Sequence, residues 1–125
     1  MLRKNLIKGC GFVLAIAAAV TSCEFALGGA WDGPKVGYGR VVEAYETVEY
    51  EIVFRRGDRG VVIVNGDHDT DLDLYVFDSS GRRVAIDDDG TDSCLASWQV
   101  LRTQTYTIRI VNLGSVHNRY DIATN

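Results

Sequence analysis

Aspartates occupy every second position of one short segment, where their carboxylates could bind a cation. The segment GDHDTDLDLYVFD spans residues 66–78, and a second acidic cluster, DDDGTD, spans residues 87–92. Carboxylate oxygens from two adjacent loops suit Ca²⁺, a hard cation that takes about 6 to 8 oxygen ligands in a flexible geometry. The alternating aspartates of the first segment are Asp67, Asp69, Asp71 and Asp73.

A hairpin between the two clusters would bring them together. Leu72, Leu74 and Val76 alternate with polar or aromatic residues, which predicts a strand with one buried face. The connection SSG at residues 79–81 suits a tight turn into a second strand. If Asp78 faces Arg82, antiparallel pairing places Asp73 opposite Asp87 and Asp71 opposite Asp89. The predicted calcium ligands are therefore Asp67, Asp69, Asp71, Asp73, Asp87 and Asp89.

Other interpretations of these carboxylates remain open. The segment is not an EF-hand loop, because Leu72 stands where that loop needs a glycine. The aspartates could form a solvated acidic rim, or they could pair with Arg102, Arg109 or Arg119. A hydrolase that uses paired aspartates is a further alternative, but it needs a substrate cleft and one carboxyl group with a raised pKa. We expect no enzymatic activity.

Alternating hydrophobicity recurs through the rest of the chain. Tyr50, Ile52 and Phe54 alternate with glutamates, and further segments with strand character recur at 82–87, 95–100, 105–112 and 119–124. Residues 60–66 form a short apolar run between turn residues, which is typical of a buried strand. Turn-forming sequences separate these segments, and no helical period appears. The pattern predicts an all-β fold, an antiparallel β-sandwich or jelly roll of seven to eight strands.

The first residues have the order of a secretory signal peptide. Three basic residues precede a twelve-residue apolar run at 9–20, which is too short for a stable membrane span. The segment VTSC resembles a lipoprotein box that ends at the acylated Cys23. Ordinary cleavage near Ala30 is the alternative, and either route exports the domain. The predicted organisation is a signal peptide at 1–22, a glycine-rich linker at 23–40 and one domain at 41–125.

Cysteine and charge restrict the possible functions. After export, Cys94 is the only free cysteine expected in the mature domain, so no internal disulfide can form. We expect Cys94 to be a small, partly buried side chain. From Glu24 onward all 17 acidic residues remain but only 10 of the 13 basic ones, a net charge of −7. Nine aspartates and two arginines at 67–92 account for the same −7. The charge is therefore concentrated in one region, and it argues against nucleic acid as a partner.

The acidic segment and the strand YTIRIVN together resemble the bacterial pre-peptidase C-terminal domain, a β-sandwich module of secreted peptidases. The similarity extends over residues 45–124 and is most specific in DTDLDLYV. The chain departs from the family pattern at His68, where a glycine is usual. It also departs at Gln104, which stands in RTQTYTI where the family usually reads TGTYTI. The resemblance implies a non-catalytic domain, and calcium sites in related collagen-binding domains could correspond here only to Asp69, Asp71 and Asp73. The chain lacks a peptidase domain on which a propeptide could act.

Together these features predict an exported, non-catalytic binding or accessory module with a calcium-stabilised pair of acidic loops. The expected partner is an extracellular or envelope protein or polysaccharide, in a secreted, periplasmic or lipid-anchored setting. Membrane contact would occur only through a lipid on Cys23. The alternative is a structural surface or lipoprotein domain without metal, whose acidic end only confers solubility.

Overall fold

The structure, a computed structural model, describes residues 29–57 and 59–125. Eight β-strands make up its regular secondary structure, and the described part contains no helix long and apolar enough to cross a membrane. The predicted signal peptide at 1–22 and the lipidation site Cys23 lie outside the described residues. The strands are β1 (Val36–Val42), β2 (Thr47–Phe54), β3 (Arg59–Asn65), β4 (Leu72–Phe77), β5 (Arg83–Asp87), β6 (Ser93–Gln99), β7 (Gln104–Asn112) and β8 (Asn118–Thr124).

The strands form two four-stranded sheets. One sheet has the order β1-β8-β3-β6 and the other has the order β2-β7-β4-β5. Every strand pair in both sheets is antiparallel. The predicted all-β, antiparallel sandwich is confirmed, because each sheet has one apolar face to bury and the other sheet covers it.

Inward-facing aromatic side chains fill one end of the space between the sheets. Phe54, which is fully buried, makes edge-to-face contacts with Trp98 at 4.9 Å and with Tyr106 at 5.7 Å between ring centroids. Gly60 leaves room for the indole, since a Cβ there would come within 2.5 Å of Trp98 Cζ2. The sheet-to-sheet packing at this end therefore depends on a small residue in β3 opposite a large one in β6.

The first strand lies partly within the segment assigned to a linker. β1 begins at Val36, and Ala30 is already buried and forms a bridge with Phe54. Residues 29–40 therefore belong to the sandwich, and the domain boundary at 41 has to move toward the N-terminus. The sequence does not predict β1 because its register shifts between Gly37 and Arg40, where Gly39 has φ 59°, and this bulge interrupts the two-residue period.

The hairpin of β4 and β5 also departs from its predicted register. Asp78 does face Arg82, since the Asp78 amide donates to the Arg82 carbonyl at 2.9 Å. Phe77 then opposes Arg83, and Val76 opposes Ala85. The residue of β5 between these two pairs, Val84, has no partner in β4 and forms a β-bulge. Beyond this bulge Asp87 opposes Leu74. The predicted opposition of Asp73 to Asp87 is therefore wrong. The predicted pairing of Asp71 with Asp89 assumed the same register, so the structure does not support it.

Candidate functional site

Two acidic loops lie side by side at one end of the sandwich. The loop at 66–71 joins β3 to β4, and the loop at 88–92 joins β5 to β6. The Gly66 amide donates to the Asp92 carbonyl at 2.9 Å, and the Leu72 amide donates to the Thr91 carbonyl at 3.3 Å. We call residues 67–73 and 87–92 the acidic end. The structure thus brings together the two clusters that the sequence singled out.

A buried carboxylate connects the two loops to β8. Asp92 Oδ2 accepts hydrogen bonds from the His68 amide at 2.6 Å and from Asn118 Nδ2 at 2.9 Å. Asn118 Nδ2 also lies 3.1 Å from Thr70 Oγ1, so one amide group contacts both loops. His68 has φ 71°, a left-handed conformation that explains why glycine is common at such a position. This network holds the backbone of the acidic end in one arrangement.

The first two predicted ligands differ in how they are held. Asp67 accepts hydrogen bonds from the backbone amides of Arg119 at 3.0 Å and Asp69 at 3.1 Å. The Arg119 amide is the main reason that the pKa of the Asp67 carboxyl lies below its usual value. Asp69 is exposed. The carboxylate of Asp67 therefore connects its own loop to β8.

Asp71 differs from the exposed aspartates of the acidic end because one of its carboxylate oxygens is shielded from solvent. Its Oδ1 atom is buried and has no hydrogen-bond partner. Burial, followed by the negative charges of Asp73 and Asp89, raises the pKa of the Asp71 carboxyl. A carboxylate in this position costs stability when it is ionised, unless a cation or a donor approaches it.

The remaining predicted ligands accept hydrogen bonds elsewhere. Asp73 Oδ2 accepts from the Tyr75 hydroxyl at 3.0 Å, and Asp87 Oδ2 accepts from the Leu95 amide of β6 at 2.8 Å. Asp89 Oδ1 accepts from the amide and hydroxyl of Thr91, each at 3.0 Å. Within residues 29–57 and 59–125, no three His, Cys, Asp or Glu side chains are grouped so as to hold a metal ion. The six aspartates share one end of the molecule but do not form a ready coordination sphere.

Two of the three arginines named as possible counterions, Arg109 and Arg119, have their guanidinium groups bound elsewhere. Arg109 Nε lies 2.6 Å from Glu49 Oε2 on the outer face of the second sheet. The Arg119 guanidinium donates to the Gly39 carbonyl at 3.3 Å. Of the close contacts between basic and acidic side chains of the described residues, only that of His68 Nδ1 with Asp92 Oδ1, at 3.3 Å, lies at the acidic end. The negative charge of this end is thus largely uncompensated.

Cys94 lies beneath the acidic end. Its thiol is buried and donates to the Leu72 carbonyl at 3.3 Å. Burial, with a further contribution from the nearby carboxylates of Asp87 and Asp89, raises the pKa of the Cys94 thiol to about 12. The thiol is therefore a packing group with little thiolate character, as its small size and lack of a paired cysteine suggest.

A groove that the sequence does not predict lies on the outer face of the second sheet. It encloses about 570 Å³ between β2 and β4, and its lining includes Glu49, Glu51, Phe77, Thr107 and Arg109. The alternation in β2, β4 and β7 does place these residues on outward-facing positions. Their proximity depends on strand order, because β7 lies between β2 and β4.

Comparison with known proteins supports the fold. No protein-family model matches the chain, and no curated protein shows a significant match. Aeromonas hydrophila PliG, a periplasmic inhibitor of g-type lysozyme, has 16% identity and a TM-score of 0.54, with 82% of this chain and 91% of that chain covered. The Yersinia pseudotuberculosis-derived mitogen has 12% identity and a TM-score of 0.53, with 74% and 86% covered. At these identities the similarity concerns the fold alone.

Proposed function

We propose that the chain is an exported, non-catalytic binding module whose acidic end contacts a cationic surface of an extracellular or envelope protein. The observation that carries this proposal is the concentration of uncompensated carboxylates on a rigid backbone. The buried pair Asp92 and Asn118 connects both loops, so the charges are arranged before any partner arrives. Preorganisation of this kind lowers the entropy cost of binding, and the local field speeds association with a positively charged partner.

The fold similarity supports a binding role. PliG is a periplasmic inhibitor of g-type lysozyme, so a β-sandwich of comparable length serves there to act on another protein. We extend to this chain only the class of role, a module that binds a protein outside the cytoplasm. Membership of the pre-peptidase C-terminal family stays a prediction based on DTDLDLYV and YTIRIVN.

Cross-linking in envelope extracts tests the protein-binding role. Asp69 and Asp88 are exposed and make no side-chain hydrogen bond within the described residues, so their replacement by asparagine should leave the fold intact. We expect the double variant Asp69→Asn/Asp88→Asn to lose a cross-linked product that the unchanged chain forms. The matched control is Asp32→Asn, an exposed aspartate outside the acidic end. A product retained equally by both variants would contradict the proposal.

Export and lipidation are part of the same proposal. Cleavage after residue 22 with a lipid on Cys23 would leave the domain attached to a membrane surface. The mass of the N-terminal peptide from the processed protein distinguishes an acylated Cys23 from ordinary cleavage near Ala30. We expect Cys23→Ser to abolish acylation, whereas a peptide that begins after Ala30 would exclude the lipid anchor.

A calcium ion at the acidic end is a second proposal, favoured by the buried Asp71 Oδ1 that lacks a partner. Asp71 with Asp73 and Asp89 would supply its carboxylates, because among the neighbouring charges these two contribute most to the raised pKa of the Asp71 carboxyl. The fit is incomplete, since each of the latter two already accepts hydrogen bonds. We therefore expect weak binding, completed by water molecules.

Titration calorimetry and thermal melts in Ca²⁺ and in chelator test this site. A ligand that binds only the folded state at 100 times its Kd adds about 2.7 kcal/mol to the free energy of unfolding. We expect Asp71→Asn to remove this gain and Asp32→Asn to retain it. Absence of heat together with an unchanged Tm would exclude calcium, and the acidic end would then act through charge alone.

A further inference from the structure

The outer face of the second sheet carries a groove whose walls come from two strands and whose floor comes from a third. Strand pairing places Glu51 opposite Thr107 and Thr107 opposite Phe77. Thr107 in β7 is therefore a small residue between two larger ones, and Thr105 also lines the groove. Because outward-facing side chains on neighbouring strands lie about 5 Å apart, this row of large, small and large side chains forms a trough.

Arg109 closes one end of the groove. Its Nε atom lies 2.6 Å from Glu49 Oε2, and its guanidinium carbon lies 4.5 Å from the centre of the Phe77 ring. The side chain thus extends from the β2 wall to the β4 wall. Tyr75 continues the aromatic wall beyond this point, with its ring stacked 6.4 Å from that of Phe77.

The groove has an excess of negative charge. Three carboxylates line it, those of Glu49, Glu51 and Asp78, against the single guanidinium of Arg109. Arg109 is already paired with Glu49, and Asp78 accepts hydrogen bonds within its own turn and contacts Arg82 Nε at 3.4 Å. Glu51 has no ion-pair partner among the described residues. It is the carboxylate that can accept an incoming cation without losing an existing contact.

We propose that this groove binds a basic side chain, arginine or lysine, presented by a protein partner. The aliphatic part of such a side chain would contact Phe77 and the methyl groups of the threonines, while its cationic group would meet Glu51. Charge complementarity selects this occupant, because an acidic side chain would meet the lining carboxylates and a purely apolar one would leave Glu51 without a partner. The inference rests on the proposed protein-binding role and adds a second contact surface to it.

NMR titration of the ¹⁵N-labelled chain tests the groove with a defined probe. The probe is N-acetyl-arginine methylamide, and its neutral analogue N-acetyl-citrulline methylamide has nearly the same shape without the charge. We expect the arginine probe to shift the amide resonances of Glu51, Thr105 and Thr107 in about 0.15 M salt, and the citrulline probe to leave them in place. Equal shifts with both probes, or shifts with a neutral oligosaccharide alone, would overturn the proposal.

Two variants locate the binding energy. Glu51→Gln should raise the Kd of the arginine probe about two- to fivefold, the range that corresponds to the loss of one exposed ion pair. Thr107→Phe fills the floor of the groove and should abolish the shifts. The control Glu43→Gln neutralises an exposed glutamate between β1 and β2, outside the groove, and should leave the Kd unchanged. An unchanged Kd for Glu51→Gln would overturn the assignment.

The titration separates failure of the groove from failure of the proposed function. Shifts confined to the acidic end would overturn the groove but would agree with a cationic partner at that end. Conversely, resonance shifts in the groove that depend on Glu51 would support the groove. They would do so even if the variant Asp69→Asn/Asp88→Asn retained every cross-linked product, because that second result contradicts only the proposal for the acidic end.

Discussion

Asn118 Nδ2 lies 2.9 Å from Asp92 Oδ2, and the two residues are 0% and 3% exposed. This contact joins the start of β8 to the loop before β6. The same amide nitrogen reaches Thr70 in the loop before β4. One asparagine side chain therefore holds three segments of the acidic end, and it compensates the burial of a carboxylate.

We predict that Asn118→Ala destabilises the protein by about 2 to 4 kcal/mol. The change removes the side-chain hydrogen bond to the buried Asp92 Oδ2 and opens a small cavity. Chemical denaturation measures the free energy of unfolding. The control is Asn65→Ala, since Asn65 is exposed at the end of β3, where the cost should stay within about 0.5 kcal/mol. Equal costs for the two variants would show that the buried network does not stabilise the fold.

Gly66→Ala should destabilise the acidic end for a steric reason. A Cβ at this position would collide with Asp92 Oδ2 and would lie 2.6 Å from Asn118 Oδ1. These atoms cannot move without breaking their hydrogen bonds, so we expect a cost of about 1 to 3 kcal/mol. Thermal unfolding measures the effect. An unchanged Tm for Gly66→Ala would contradict this steric explanation, because it would mean that the loop accommodates a Cβ at position 66.

Asp71→Asn should stabilise the calcium-free protein near pH 7. The pKa of the Asp71 carboxyl is raised in the folded state from its ordinary 3.8, because burial and the neighbouring carboxylates disfavour the ionised form. Such a group favours folding below pH 3.8 and loses this contribution as the pH rises through the folded-state pKa. Relief of like-charge repulsion should add about 0.5 kcal/mol at pH 7.

The pH dependence provides the check on this prediction. At pH 3 Asp71 is largely protonated in both the folded and the unfolded state, so most of the gain from Asp71→Asn should vanish. Urea titrations in chelator at pH 7 and pH 3 measure the two differences. A gain of the same size at both pH values would contradict the electrostatic explanation.

Cys94 should resist thiol reagents in the folded protein. The thiol is 3% exposed, and its pKa of about 12 leaves little thiolate at pH 8. Peptide mapping by mass spectrometry after brief treatment with iodoacetamide should show Cys94 unmodified in buffer and fully modified in denaturant. Rapid modification in buffer would mean that the sandwich opens locally around β6.

Much of the fold could be predicted from the sequence. The two-residue period of Tyr50, Ile52 and Phe54 reflects one buried sheet face, and similar patterns located seven of the eight strands. β1 was missed because its bulge and Gly39 remove that period. A strand that pairs at a sheet edge can depend on its neighbour more than on its own hydrophobic pattern.

The candidate site was only partly predictable. The adjacency of the two acidic loops follows from a tight hairpin, and the structure shows the same adjacency. The register was wrong by one residue because a bulge leaves no clear mark in RRVAID. The roles of Asp92 and Asn118 could not be seen, since they lie 26 positions apart and meet only through the packing of the two loops and β8.

The sequence by itself determined the strands, the buried faces and the concentration of acidic residues, because these depend on the local alternation and spacing of side chains. Only the tertiary structure decided which carboxylates accept hydrogen bonds, and that Asp71 has a buried oxygen without a partner among the described residues. It also decided that Glu51, Thr107 and Phe77 share a groove. These relationships depend on sheet order and register, which arise from the packing of segments distant in the chain.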